Sequence, residues 1–411
     1  MTDAAIVDHT NPDFVAEPYP AFRELREHSA LHQHPNWGVR IAVSHEACST
    51  ILRHRNFGRI WNDAEPADKF RAFNSLHRLN MLENDQEHDR LRAVASPLFH
   101  RRNIRELRGT IAQIVDGYIH ALSERIHEDG SADIMEHVAR PLPVDIIATL
   151  LNFPRSDRSL LQSWSNQIVT MYEPKTSAVS RRTAEHAAQQ FHDYVSDLIV
   201  SRQRQPGQDL LSQLASTLRE PESRVSEPEL IANYVLLLMA GHEASVNGIG
   251  NAIAALHAHP EQWELFRAHL TGDETRLNTA VDELLRYDTP NQLFERTATA
   301  PTKVCGHEIE QGETVTVLLG AANRDPAVYS EPDRLDLTRS PNPHLALGAG
   351  MHYCLGAPLA RLEIGTTLAA LARHMPHFAL AATPPRHSAF AIRGFRQLSV
   401  TEPKPRTALR S

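Results

Sequence analysis

Apolar residues recur at three- and four-residue spacing along Pro20–His28, Arg105–Ile126, Val144–Leu151 and Thr183–Arg202, the period of an amphipathic helix. The first half of the chain is therefore predicted as helix after helix. Trp37 to Ser44 alternates instead, as a strand does. Phe57 to Leu79 mixes charges and scattered aromatics without a period. That predicts a long surface loop, a kind of segment that is often functional in compact proteins.

One helix stands apart. Ser226-Glu-Pro-Glu229 is a capping box with proline just inside the start, and the apolar run behind it continues to His259, ahead of Pro260. At about 1.5 Å per residue such a helix is nearly 50 Å long, a central strut through the molecule. Ala240-Gly-His-Glu-Ala-Ser245 sits near its middle. Glycine weakens a helix and a buried acid is costly to desolvate, so this interruption implies that something binds beside it. A further helix, Asp273–Tyr287, carries Glu283 and Arg286 on one face; taken alone, that spacing reads as a surface ion pair.

After Pro290 short strands follow, over Glu295–Thr299, Thr302–Ile309 and Thr314–Leu319, and a last helix runs from about Ala357 to His374. No repeat or linker divides the chain. The expectation is one mainly α domain with small β-sheets over residues 1–411, frayed from 401 to 411.

Composition narrows the function. The 411 residues hold 42 Lys+Arg against 50 Asp+Glu, a net charge of −8, which gives no electrostatic footprint for nucleic acid. Three cysteines, at 48, 305 and 354, make no disulfide framework. The amino terminus lacks the pattern of a secretory signal, and the longest apolar stretch, Tyr234 to Ala240, is too short to cross a bilayer. A cytoplasmic monomer without membrane insertion is expected.

Cys48 and Cys305 read as small hydrophobes. Cys354 differs in its neighbours. It lies just before a helix, where free N–H groups and the helix dipole favour a thiolate. Gly348, Gly350 and Gly356 clear side chains from both sides of it. As a nucleophile it has His352 nearby but no evident third orienting residue. As a zinc ligand it lacks partners at ligand spacing. As a haem ligand it needs no second protein ligand, only a flat and uncrowded approach, and this use fits best. Gly348-x-Gly350 is no dinucleotide fingerprint, because the third glycine and the preceding βαβ unit are missing.

With these residues in view, the sequence resembles the cytochrome P450 family in its soluble bacterial form, along essentially the whole chain. It is similar to macrolide-hydroxylase-like and natural-product tailoring members. Gly348-x-Gly350-x-His352-x-Cys354-x-Gly356 looks like the family's haem-thiolate loop. Glu283-Leu-Leu-Arg286 matches its E-x-x-R helix, and the resemblance implies a buried pair locked to Arg334. Ala240-Gly241-His-Glu243 resembles the oxygen-binding groove of the central helix, which implies a long helix over haem. His88-Asp-Arg-Leu-Arg92, Arg296 and His352 match contacts to the haem propionates.

The resemblance further implies haem b (iron protoporphyrin IX) with Cys354 as axial iron ligand, dioxygen as co-substrate, and electrons from NAD(P)H through a ferredoxin and ferredoxin reductase. By the same analogy a small hydrophobic substrate lies against Leu236, Ala240, Asn291, Leu293, Phe294, Phe390 and Ile392, with walls from the 57–79 segment and residues 163–180.

Two departures stand out. Leu347 replaces the aromatic residue usual seven positions before the cysteine. The central helix reads Glu243-Ala244-Ser245 where most relatives carry Thr after the acid, and that Thr ordinarily helps deliver protons to dioxygen. Ser245 is about 100° further round the helix. Proton delivery then falls to ordered water, Glu243, Ser245 or a hydroxyl of the substrate. The expected activity is monooxygenation. Oxidative coupling to form C–C or C–N bonds, on aromatic or cyclic dipeptide substrates for example, is the enzymatic alternative, and a haem-binding sensor without turnover is the other.

Overall fold

The computed structural model describes residues 6–402 except 84, 173–175, 219, 221–222 and 270. Its frame is helical. The central helix spans Glu227–Ala258, with the Ser226/Glu229 capping box formed and Pro228 in its first turn. Both flanks of this helix are apolar and buried, through Leu230–Leu238 on one side and Val246–Leu256 on the other, as expected for a helix hydrophobic all round. The helices Arg101–Asp129, Pro141–Leu150, Ala178–Arg204, Glu274–Tyr287 and Ala357–His374 bury their apolar faces in the same core. Gly130, left-handed at φ 80°, ends the first of them.

The β part is small. One sheet has the order Leu31–Gln33, Arg40–Ala42, Thr314–Leu318, Leu293–Ala298, Phe57–Gly58, parallel only between Arg40–Ala42 and Thr314–Leu318. Arg296 faces Val315 in its register.

Local expectation and structure part in a few places. The 57–79 segment is not an aperiodic loop: it contains the helix Arg71–Arg78, which buries Ala72, Phe73 and Leu76. Two turns are too short to display a period. This helix also owes its start to a distant residue, since Glu185 accepts the N–H groups of Ala72 and Phe73. Thr302–Ile309 is a hairpin, Thr302–Val304 against His307–Ile309, turned at Cys305 and Gly306 with positive φ of 47° and 85°. Of Trp37–Ser44 only Arg40–Ala42 is strand, and Trp37 stacks on His34. Thr401 pairs with Ala379 in the last strand, whereas residues 403–411 of the expected frayed tail lie outside the described residues. Among the described residues no helix is long and apolar enough to cross a membrane.

A buried charge cluster ties the amino-terminal segment to this frame. Asp288 accepts Arg393 Nε and Arg386 Nη2, both at 2.7 Å, and the Tyr19 hydroxyl at 3.1 Å. Burial alone pushes the Asp288 carboxyl up, but Arg393 and Arg386 outweigh it and bring it down to about 2. Its folded pKa lies below the unfolded one, so the stabilisation is present above roughly pH 4 and lost as pH falls toward 2. Asp288→Asn leaves two arginines short of a counter-ion and is expected to reduce stability at pH 7 by about 3–5 kcal/mol. Urea unfolding of both proteins checks this, and the difference should shrink below pH 4.

Candidate active site

Cys354 lies between the short turn Gly350–His352 and the helix Ala357–His374. Its N–H donates to the Leu347 carbonyl at 2.9 Å, which folds the loop back on itself. Gly348 and Gly350 both hold φ 71°, and a Cβ at Gly350 would lie 2.3 Å from the Leu52 carbonyl oxygen. Glycine is therefore obligatory there for both conformation and space. A Cβ on Gly356 would come within 3.9 Å of the Cys354 sulfur.

The sulfur receives the N–H groups of Gly356 and Ala357, and the charges of Arg92 and Arg361 reach it. These act in the thiolate direction, but burial outweighs them and holds the thiol above its ordinary value. The helix end works toward the thiolate against burial, and a bound metal cation would add to that pull.

The residues expected to meet propionates converge from separate elements. His88 and His352 stand with ring centroids 4.4 Å apart. His88 Nε2 lies 3.1 Å from the Met351 carbonyl, and Arg92 Nη2 donates to the Tyr353 carbonyl at 2.8 Å. His352 Nε2 pairs with Asp85 Oδ1 at 2.9 Å, while its buried Nδ1 has no hydrogen-bond partner among the described residues. Burial lowers the His352 pKa, and the hydrogen bond to Asp85 offsets part of that.

Arg296 is 3% exposed and donates to the carbonyl of Glu295. Burial, then the nearby Arg59 charge, brings it down to about 10, with Asp85 and Glu83 opposing. A buried guanidinium short of counter-ions, beside an orphaned imidazole nitrogen, fits an anionic group on a ligand. Haem presents that group, and Cys354 with its flanking glycines offers the axial donor. The residues present fit haem.

The middle of the central helix is solvent-accessible on one face, and we read the space beside that face as a hollow. Ala240 is exposed, and Leu236, Gly241, Glu243 and Ala244 are partly exposed, within a helix otherwise buried on both sides. Positions 236, 240, 243 and 244 share one face. A Cβ on Gly241 would lie 2.6 Å from Ile147, so this glycine serves helix packing as well. Behind the hollow, Ser245 neighbours Glu363 of the Ala357–His374 helix, whose buried Oε1 has no hydrogen-bond partner among the described residues. Burial pushes the Glu363 carboxyl up to about 8, with the Ser245 contact acting the other way.

Glu283 and Arg286 are not at the surface. Both side chains are fully buried, and the pair is bidentate at 2.7 and 2.8 Å. The partner expected to lock it needs correcting. Arg334 contributes only its carbonyl, which accepts from Arg286 Nη2 at 3.1 Å, and its own side chain is exposed beside Glu331. Arg339 is the side chain that reaches Glu283, its Nε at 3.2 Å from both carboxylate oxygens. A tight turn at 331–334 directs the Arg334 side chain outward.

The expected substrate wall divides. Asn291 and Ile392 bridge each other, and Phe294 lies near Gly348 and Arg296. Phe390 is instead committed to an amino-terminal aromatic cluster with Phe14, Phe22 and Trp37, and Leu293 packs against the same cluster. Strand alternation explains this, because Leu293 faces away from the side that carries Phe294 and Arg296. Asp85, Arg339 and Glu363 were not among the expected site residues. Only Glu363 left a signal, an acid between Leu362 and Ile364 on a helix that is largely buried.

Comparison with known proteins places this geometry. The family model described as Cytochrome P450 matches residues 38–386. The chain is 37% identical over 378 residues to cytochrome P450 monooxygenase PikC of Streptomyces venezuelae, covering 90% of this chain and 87% of PikC. It is 32% identical to the polyketide biosynthesis cytochrome P450 PksS of Bacillus subtilis, covering 95% and 96%. The crystal structure of P450BioI in complex with a hexadec-9Z-enoic acid ligated acyl carrier protein superposes with a TM-score of 0.86 at 32% identity, over 95% of this chain and 99% of that one.

Proposed function

The chain belongs to the cytochrome P450 family, and on that premise we propose that it hydroxylates or otherwise oxidises a small hydrophobic natural product of secondary metabolism. Membership carries haem-thiolate iron and the use of dioxygen. The proposed electron supply is NAD(P)H through a ferredoxin and its reductase. When bound, haem supplies the activation of dioxygen and the oxidation of a substrate C–H bond. The polypeptide supplies everything else.

Cys354 would hold the haem iron through its sulfur. Arg296 and Arg92 would supply positive charge to the propionates and His88 and His352 would hydrogen-bond them, and the buried Arg296 beside the orphaned His352 Nδ1 is the observation that carries this assignment. The apolar hollow beside Leu236 and Ala240 takes the substrate and limits water. Names of the relatives, a monooxygenase and a polyketide-biosynthesis enzyme, support the substrate class.

Ala244 has no hydroxyl to give. Ser245 has one, and Glu363 behind it holds its proton at neutral pH because of burial. Glu363 gives its proton to Ser245, whose own hydroxyl proton goes toward the hollow, and water returns a proton to Glu363 by the reverse path. Glu363→Gln keeps the shape and removes the proton, so product formation should fall by about 10- to 100-fold, at the low end of general acid–base contributions. Ala244→Thr should lower the share of electrons lost to peroxide. Product and peroxide measured together under limiting NADPH check both.

The broader test is turnover with surrogate ferredoxin partners against polyketides and cyclic dipeptides. Product heavier by one oxygen supports oxidation by insertion. Loss of hydrogens without oxygen gain supports oxidative coupling, the second reading that the missing Thr motivates. Tight binding without turnover across the panel favours a sensor.

A further inference from the structure

The Asp85 carboxylate is seated beside the residues assigned to the propionates. Oδ1 accepts from His352 Nε2 at 2.9 Å, and Oδ2 accepts the Arg59 N–H at 2.8 Å. The remaining support is a missing side chain. Gly58, in the strand Phe57–Gly58, leaves the space that Oδ2 fills, and a Cβ there would lie 2.2 Å from that oxygen. Gly58 pairs with Thr297, so the seat is built against the strand that carries Arg296.

His352 is the group this seat acts on. Its side chain is 2% exposed, its ring centroid stands 4.4 Å from that of His88, and its Nδ1 has no hydrogen-bond partner among the described residues. With Nε2 committed to Asp85 the plane of the ring is fixed, and Nδ1 is the nitrogen left for a propionate carboxyl group.

The seat also keeps a charge in place. Burial pushes the Asp85 carboxyl up, but its partners, led by the hydrogen bond from His352, outweigh burial and hold it below the ordinary carboxylate value. Glu83, two residues earlier, faces the Arg59 guanidinium at 2.5 Å instead.

We propose that Asp85 is a positioning residue for haem: it orients His352 toward a propionate and fixes a negative charge beside the propionate cluster that makes the bound iron harder to reduce. The proposal rests on the haem reading of the site. An electron added to the haem meets one more negative charge while Asp85 is in its seat, which favours the oxidised form. Asp85 touches neither iron nor substrate. It acts through His352 and through its charge.

The test is an anaerobic spectroelectrochemical titration of the holoenzyme, with resonance Raman spectra of the same samples, in which the propionate bending mode reports hydrogen bonding to the propionates. Asp85→Asn keeps the size of the side chain and removes its charge. Gly58→Ala keeps Asp85 and pushes its carboxylate out of the seat. At the wild-type midpoint potential, the ratio of reduced to oxidised haem should rise at least about threefold in Asp85→Asn, and by less but in the same direction in Gly58→Ala. Both variants should shift the propionate bending mode. Glu83→Gln removes a neighbouring charge of the same sign and should leave that mode at its wild-type frequency.

A wild-type ratio in both Asp85→Asn and Gly58→Ala overturns the proposal. An unshifted bending mode in both overturns it too, as does a shift in Glu83→Gln equal to that in Asp85→Asn. Failure of the haem reading looks different: wild-type protein without haem, or without the red-shifted Soret band in its reduced CO complex, removes that reading and this proposal with it.

Discussion

Cys354→Ala is expected to lose the thiolate-type spectrum and all NADPH-dependent product above the level of free haem. Cys354 is the one thiol on its loop, and the glycines around it clear the approach to its sulfur. Fold should survive, because the loop is shaped by backbone: the Cys354 N–H to Leu347 carbonyl bond and the positive φ of Gly348 and Gly350 do not involve the sulfur. Absorption of the reduced CO complex, with circular dichroism as the control, separates the two. A red-shifted Soret band retained by the variant would remove Cys354 from its assigned role.

Glu283→Ala should reduce stability strongly. Its carboxylate accepts from Arg286, Arg339 Nε, the Asp336 N–H at 2.9 Å and Asn342 Nδ2 at 3.2 Å. Arg286 in turn donates to the carbonyls of Asn323, Pro332 and Arg334. One helix thereby holds the whole stretch from 323 to 342 that leads into the Cys354 loop. Removing the acid leaves a fully buried guanidinium unpaired, at a cost of about 3–5 kcal/mol. Thermal unfolding and haem content per chain should both fall. Arg334→Ala should change little, because its side chain is exposed and only its carbonyl is used. That contrast distinguishes the observed network from the one that motif matching implies.

What was legible in the sequence was local or periodic. The central helix announced itself through its capping box and long apolar run, and the Cys354 loop through glycines whose backbone role needs no partner. Glu283 and Arg286 were legible as a pair, but their burial was not, since three-residue spacing is the same on a wet face and a dry one. Residues that depend on chain return were invisible. Asp85 meets His352 across 267 positions, and Arg339 reaches Glu283 across 56. The Arg71–Arg78 helix was hidden for the same reason, with its starting N–H groups satisfied by Glu185. Leu293 and Phe390 pack in the amino-terminal cluster, Leu293 because strand alternation turns it from the side of Phe294 and Arg296, and Phe390 through its ring contacts with Phe14, Phe22 and Trp37.

The Glu363–Ser245 contact changes how the alanine at 244 is understood. In the proposed proton path the Ser245 hydroxyl, one residue along the helix, takes the place of the usual alcohol, with the buried Glu363 of a second helix as its proposed proton source.

The most direct measurement is the absorption spectrum of the purified wild-type protein, expressed with ample iron and porphyrin precursor, then reduced and exposed to carbon monoxide. The account predicts a coloured protein with one haem per chain and the red-shifted Soret band of sulfur ligation. A colourless protein, or a band characteristic of nitrogen ligation, would contradict it.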